Sequence, residues 1–195
     1  MLEIRRKIVH ASGILTIFSI LWLGKWNASL IILSVALLFF LLGEYRKNRD
    51  KYKIIKVKKL DEFEEFLENG FREYERPKTL PFKGATEFFI GCFFAAIIFE
   101  TIPAIAAISV LSIADAMSTL IGSYFGRHRI HLNRKKTFEG SLSFFLTALF
   151  VLLFFTNPLK ATIIAFFSML AEMIPGIDDN LLIPITVGIM MTALA

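Results

Sequence analysis

The sequence predicts an all-α membrane protein: a polytopic transmembrane helical bundle of about seven spans with a cytoplasmic N-terminus. Three observations predict it. The 195-residue chain is 55% hydrophobic with 21 Phe, and its apolar runs approach the roughly 20 residues that cross a bilayer. Its 22 Lys and Arg fall on one side when the runs are threaded alternately, Lys25 and Lys160 excepted, the bias expected of cytoplasmic loops. No alternating ten-residue segments of barrel type occur, and helices are the other way to satisfy backbone polar groups in lipid.

The spans expected from hydropathy are 4–23, 28–43, 84–99, 102–122, 139–155, 159–174 and 180–194. Several are short, so tilt or local thinning of the bilayer is implied. The start MLEIRRKIVHASGILTIFSILWLG has a basic end and an apolar stretch, as a signal peptide does. His10 and Gly13 interrupt the stretch and no A-x-A site follows it, so it reads as a retained first helix. Residues 1–195 form one integral membrane domain. Residues 44–83 form a cytoplasmic insertion between spans two and three. Its first half, EYRKNRDKYKIIKVKK, is basic; its second, DEFEEFLENGFREYER, spaces Phe63, Phe66, Leu67, Phe71 and Tyr74 as an amphipathic helix would. The net charge is +5, and nucleic acid is not an expected partner. The single Cys92 has no intramolecular disulfide partner.

Buried carboxylates single out the functional region. A carboxylate at the middle of a bilayer costs at least about 2.5 kcal/mol, so such groups face the bundle interior. Ser112, Asp115, Thr119 and Gly122 share one helix face, with Ser118 beside them. Arg6, His10 and Gly13 align on the first span, Gly84, Glu87 and Gly91 on the third, Glu139 and Ser143 on the fifth, and Ser168, Glu172 and Pro175 on the sixth. These stripes converge toward the side of the basic loops. Asp115 is the deepest acid. The serines and glycines also suit close helix packing, His10 a bond to a neighbouring helix, and Glu87 and Glu172 interfacial or supporting roles.

The loop GRHRIHLNRKKTFEGS brings Arg127, Lys135 and Lys136 to the start of the fifth span, where Thr137 is placed to cap it. Lysines beside free helix N–H groups form an anion site. Oxygen ligands for Mg²⁺ would come from Asp115 and Glu139. Asp178, Asp179 and Asn180 precede the seventh span; they suit either helix capping or a hydrated Mg²⁺. A P-loop is excluded, because no glycine precedes Lys136 and no strand precedes the loop.

RRKIVHASG, KGATEFFIG, ADAMSTLIGSYFGRHRI, KKTFEGS and AEMIPGIDDNLLIP, in that order, resemble the membrane lipid kinases. That family includes dolichol kinase, phytol kinase and the CTP-dependent diacylglycerol kinase, and it is related to the phosphatidate cytidylyltransferases. The resemblance covers nearly the whole chain except the long cytoplasmic segment. It implies a Mg²⁺-dependent enzyme that transfers phosphate from CTP to a membrane lipid alcohol at the cytoplasmic face; dolichol, phytol, geranylgeraniol and a diacylglycerol-type lipid stay open as acceptors, and Lys and Ile usage tilts the choice toward a polyprenol or dolichol type. It implies functional roles for Asp115, Gly122, Gly126, Lys136, Thr137, Glu139, Gly140, Ser141, Asp179 and Asn180, with Lys7 and His10 matching an R-K-x-x-H start. The P-G-H-G-G and D-R-x-D signature of the cytidylyltransferases is replaced by PGIDDN, which favours kinase chemistry over synthesis of a CDP-lipid.

The resulting expectation is a catalytic set of Asp115, Lys136, Glu139 and His10. Lys7, Ser118, Gly122, Gly126, Arg127, Lys135, Thr137, Gly140, Ser141 and Asn180 would bind the nucleotide, and Asp115, Glu139, Asp178 and Asp179 the metal. Lys and Ile usage points to a prokaryotic plasma membrane, with the site facing the cytoplasm. Two rivals are a CTP-dependent cytidylyltransferase and a small transporter. A transporter would place its site at the midplane and often shows a repeat; neither feature is visible here. Phe-rich spans could pack in lipid or against a second copy, so a homodimer is open.

Overall fold

The computed structural model describes His10 and residues 12–48 and 81–195. Lys7 and residues 49–80, which hold most of the expected cytoplasmic insertion, lie outside the described residues. Among the described residues there are six helices and no strand: α1 (Gly13–Lys47), α2 (Lys83–Ile98), α3 (Thr101–Phe125), α4 (Phe138–Leu152), α5 (Pro158–Met173) and α6 (Asp179–Ala193). The all-α expectation holds. Two helices, α1 and α3, are long and apolar enough to cross a membrane. The other four have 15 or 16 residues, about 23 Å of helix against a hydrocarbon core of about 30 Å. The seven expected spans are therefore not seen as seven separate spanning helices.

The first two expected spans are joined in α1. Its 35 residues would measure about 52 Å if straight, but the contacts require a reversal. The His10 ring packs on Phe88, with centroids 4.7 Å apart. Phe39 stacks on Phe89 at 5.7 Å. Lys25, between them, donates from Nζ to the Phe99 carbonyl at 2.8 Å, at the far end of α2. The chain therefore runs out along α2, turns at Gly24 and comes back. Gly24 has φ 76° and ψ 157°, a conformation that only glycine enters without strain.

The centre of the bundle is α3. Ala104, Ala106, Ala107, Ser109, Ser112 and Ala114 are buried along it, and side chains this small allow neighbouring backbones to come close. It packs against α1, α2, α4 and α6. Larger side chains fill the remaining space, among them Phe88, Phe144, Leu152, Ile164 and Ile183. The outside is also apolar: Leu15, Phe18, Leu21, Trp22, Trp26 and Leu30 all stay exposed on α1. Apolar surface on this scale marks a contact with another protein or with a membrane.

Helix ends follow local rules. Thr137 caps α4, its hydroxyl accepting from Gly140 N–H at 3.1 Å, as the sequence predicts. Asn157 caps α5 through Lys160 N–H at 3.0 Å, with Pro158 in the first turn. Asp178 caps α6 through Asn180 N–H at 3.0 Å. These ends matter because the start of α4, the end of α5 and the start of α6 meet at one end of the bundle.

Candidate functional site

The segment between α3 and α4 is ordered by short-range pairing. Arg129 and Thr137 form an antiparallel bridge. Ile130 N–H donates to the Lys136 carbonyl at 3.1 Å, and Phe138 N–H to the His128 carbonyl at 2.9 Å. A turn closes the hairpin, with Lys136 N–H on the Asn133 carbonyl at 2.9 Å. The side chains then divide: Arg127, Arg129, Arg134 and Lys135 are exposed, whereas Lys136 turns inward.

Lys136 is the hub of the site. Its Nζ donates to Glu172 Oε1 at 2.7 Å and to Asp179 Oδ2 at 2.7 Å. Glu172 is fully buried, and it accepts from Ser118 at Oε1 and from Ser141 at Oε2, both at 2.9 Å. Residues of α3, the hairpin, α4, α5 and α6 thus share one hydrogen-bonded cluster. Burial works against the Lys136 ammonium, but Asp179, Asp115 and Glu172 outweigh it and hold its pKa above the ordinary lysine value. Lys136 is therefore charged at neutral pH.

Asp115 lies in the interior of α3, 1% exposed. Its Oδ2 is 3.4 Å from His10 Nδ1, and its charge acts on both Lys136 and Asp179. Asp115, Ser118, Lys136, Ser141, Asp179 and His10 are thus brought together at one end of the bundle. Asn180 lies beside them, 7% exposed. It donates from Nδ2 to Asp178 at 2.8 Å, while its Oδ1 has no hydrogen-bond partner.

Other expected residues stand elsewhere. Glu139 turns away from the cluster to His128, with Oε1 2.6 Å from the ring Nδ1, and it faces the His128 N–H at 3.3 Å. Asp178 is used in capping α6 and interacts with Glu87. Arg127 and Lys135 are exposed on the hairpin. The start of α4 has fewer free N–H groups than expected, because Phe138 N–H and Gly140 N–H already donate within the protein. Gly122, Gly126 and Gly140 serve the α3–α4 contact: a Cβ on Gly140 would lie 2.9 Å from the Ser118 carbonyl, and one on Gly122 3.0 Å from the Thr137 hydroxyl.

Among the described residues no three His, Cys, Asp or Glu side chains are grouped as a metal would need. A nucleotide-borne Mg²⁺ asks for less, one or two carboxylates with phosphate and water completing the shell. Asp115 and Asp179, with the unpartnered Asn180 Oδ1, fit that donor set; Glu139 and Asp178, as they stand, do not add to it. Glu172 is the residue that sequence reasoning underweighted. Its signal was its place on the Ser168 face of the sixth expected span, but its bond to Lys136 required the helices to be assembled.

No protein-family model matches the chain, and no curated protein or solved structure matches it significantly.

Proposed function

We propose that the protein is a membrane enzyme that transfers the γ-phosphate of CTP to the hydroxyl of a membrane lipid alcohol of polyprenol type. The reading rests on one observation above all: a partly buried, charged lysine of the hairpin held between carboxylates from two helices, beside a third carboxylate at Asp115. Acids and a lysine gathered at one end of an apolar bundle are what a phosphoryl site at a membrane surface requires. A transporter site at mid-depth is less favoured by that placement. CTP as donor, the seven-span topology and the cytoplasmic orientation rest on the sequence resemblance and on the distribution of Lys and Arg.

Phosphoryl transfer depends on positioning and charge neutralisation. Lys136 would leave Asp179 or Glu172 in part to pair with a phosphate oxygen, a point charge on a flexible stem suited to that exchange. Asp115, Asp179 and Asn180 would hold Mg²⁺, which supplies charge neutralisation on the triphosphate. His10 would fix the orientation of Asp115. Exposed Arg127, Arg129, Arg134 and Lys135 would raise the local concentration of the nucleotide.

The test is a matrix of γ-labelled nucleotides against lipid alcohols, with separation of products. A kinase gives labelled lipid phosphate and CDP. A cytidylyltransferase gives pyrophosphate instead, and that outcome would move the protein to the other chemistry.

A further inference from the structure

Lys136 has two carboxylate partners, and they are not equivalent. A lysine ammonium carries three N–H donors. One goes to Glu172 Oε1 and one to Asp179 Oδ2, each at 2.7 Å, the length of a charge-assisted hydrogen bond. The difference lies in what stands behind each carboxylate. Glu172 is locked: its side chain is 0% exposed. Ser118 donates to Oε1 and Ser141 to Oε2, both at 2.9 Å. Donors from α3, the hairpin and α4 therefore fix this one carboxylate. Without Lys136 it would be a buried charge with neither a counter-ion nor solvent to replace it.

Asp179 is loosely held. It is the first residue of α6, and its side chain is 30% exposed. Lys136 is the only hydrogen-bond partner of its carboxylate among the described residues. The charges of Asp115 and Asp178 act against its own. Water can take over this carboxylate at small cost, as it cannot for Glu172. The Lys136 side chain is itself partly exposed, so the pair meets solvent on the Asp179 side and not on the Glu172 side.

We infer that Lys136 carries an oxyanion position that Asp179 Oδ2 fills in this structure, and that a phosphate oxygen takes that place while Glu172 stays as the fixed counter-ion. The identity of the anion rests on the phosphoryl-transfer reading. Glu172 is then a positioning residue that aims Lys136, and Asp179 is the partner that yields. Carboxylate and phosphate oxygens meet an ammonium at the same distance, so the exchange asks only the Asp179 side chain to turn aside. A released Asp179 needs a cation in turn, and a phosphate chain carrying Mg²⁺ brings one. One arrival thus satisfies both halves of the broken pair. Phosphate binding and divalent-cation binding are thereby coupled through Asp179, each weaker without the other.

Calorimetry tests this without any transfer of phosphate. Inorganic tripolyphosphate is titrated into the full chain in lipid nanodiscs, with and without Mg²⁺. In wild type, Mg²⁺ is expected to tighten binding about tenfold or more. In Asp179→Asn the position has lost its charged occupant. Metal-free tripolyphosphate should then bind about tenfold tighter than to wild type, and Mg²⁺ should add little. Asp178→Asn keeps a good cap on α6 and removes a charge of the same sign without vacating Lys136. Its metal-free binding should match wild type within about twofold. Glu172→Gln should bind metal-free tripolyphosphate more weakly than wild type, because Lys136 then turns wholly to Asp179. An equal gain in Asp178→Asn reduces the effect to net charge and overturns the inference. A gain in Glu172→Gln makes the two carboxylates interchangeable and also overturns it, as does a wild type that fails to bind tripolyphosphate with Mg²⁺ present. Should Glu172→Gln not fold, the two aspartate variants decide alone. Should binding follow the expected pattern while no labelled nucleotide yields a lipid phosphate, the kinase reading falls and the oxyanion position stands.

Discussion

Lys136 balances the charge of the cluster. Lys136→Ala would leave Glu172, which is fully buried, and Asp179 without their counter-charge. Breaking a buried pair in this way costs about 3–5 kcal/mol, so the variant should melt well below wild type in the same detergent, read by the thermal unfolding midpoint. The pH dependence follows from the raised pKa of Lys136. A lysine whose folded pKa lies above its unfolded value of about 10.4 stabilises fully below that value and loses the contribution as pH rises through the folded pKa. Stability from this cluster should therefore be flat through neutral pH and fall only in strong alkali. Lys136→Met should remove that alkaline limb, which unfolding midpoints against pH would reveal. At Asp115, the predicted result of Asp115→Asn is loss of about two to three orders of magnitude in transfer from γ-labelled CTP, with the helical spectrum preserved.

The elements explain which parts of the site were legible in the sequence. Hydropathy located α2 to α6 to within a few residues, because each is an apolar run between polar segments, but it divided α1 into two spans that the structure joins through the turn at Gly24. The Thr137 cap was legible because capping is local. Asp115 and Ser118 were legible from spacing on one helix face. Glu139 was not: its pairing with His128 depends on a hairpin, which hydropathy does not register. Glu172 and Lys136 are 36 residues apart in the chain, and their contact depends on how α5 lies against α4. The α2–α6 contact carries a prediction of its own. A Cβ on Gly91 would collide with the Asn180 carbonyl, so Gly91→Ala should push the start of α6 away and destabilise by about 1–3 kcal/mol. Asp179 moves with it, so activity measured in the folded fraction should fall as well.

Across the whole molecule, the two lysines that escape the basic side mark the other end of the bundle. Lys25 bonds the Phe99 carbonyl at the end of α2, and Lys160, at the start of α5, bonds the Ala195 carbonyl. Glu172 stands at the opposite end of α5. If the bundle spans a bilayer as proposed, Lys25→Cys and Lys135→Cys should be labelled from opposite sides of sealed vesicles by an impermeant thiol reagent. The native Cys92 is buried and should stay silent in that assay. Labelling of both from one side would refute the threading.

The bridge between Arg129 and Thr137 also governs how the loop tolerates change. Successive side chains in a paired strand point to opposite faces, so slipping the pairing by one place exchanges inside for outside. In this hairpin the exchange would swap Lys135 for Lys136. An insertion at the tip that leaves the Arg129–Thr137 pairing intact should be silent, whereas a single insertion between Lys136 and Thr137 would present the inserted side chain in place of Lys136 to Glu172 and Asp179.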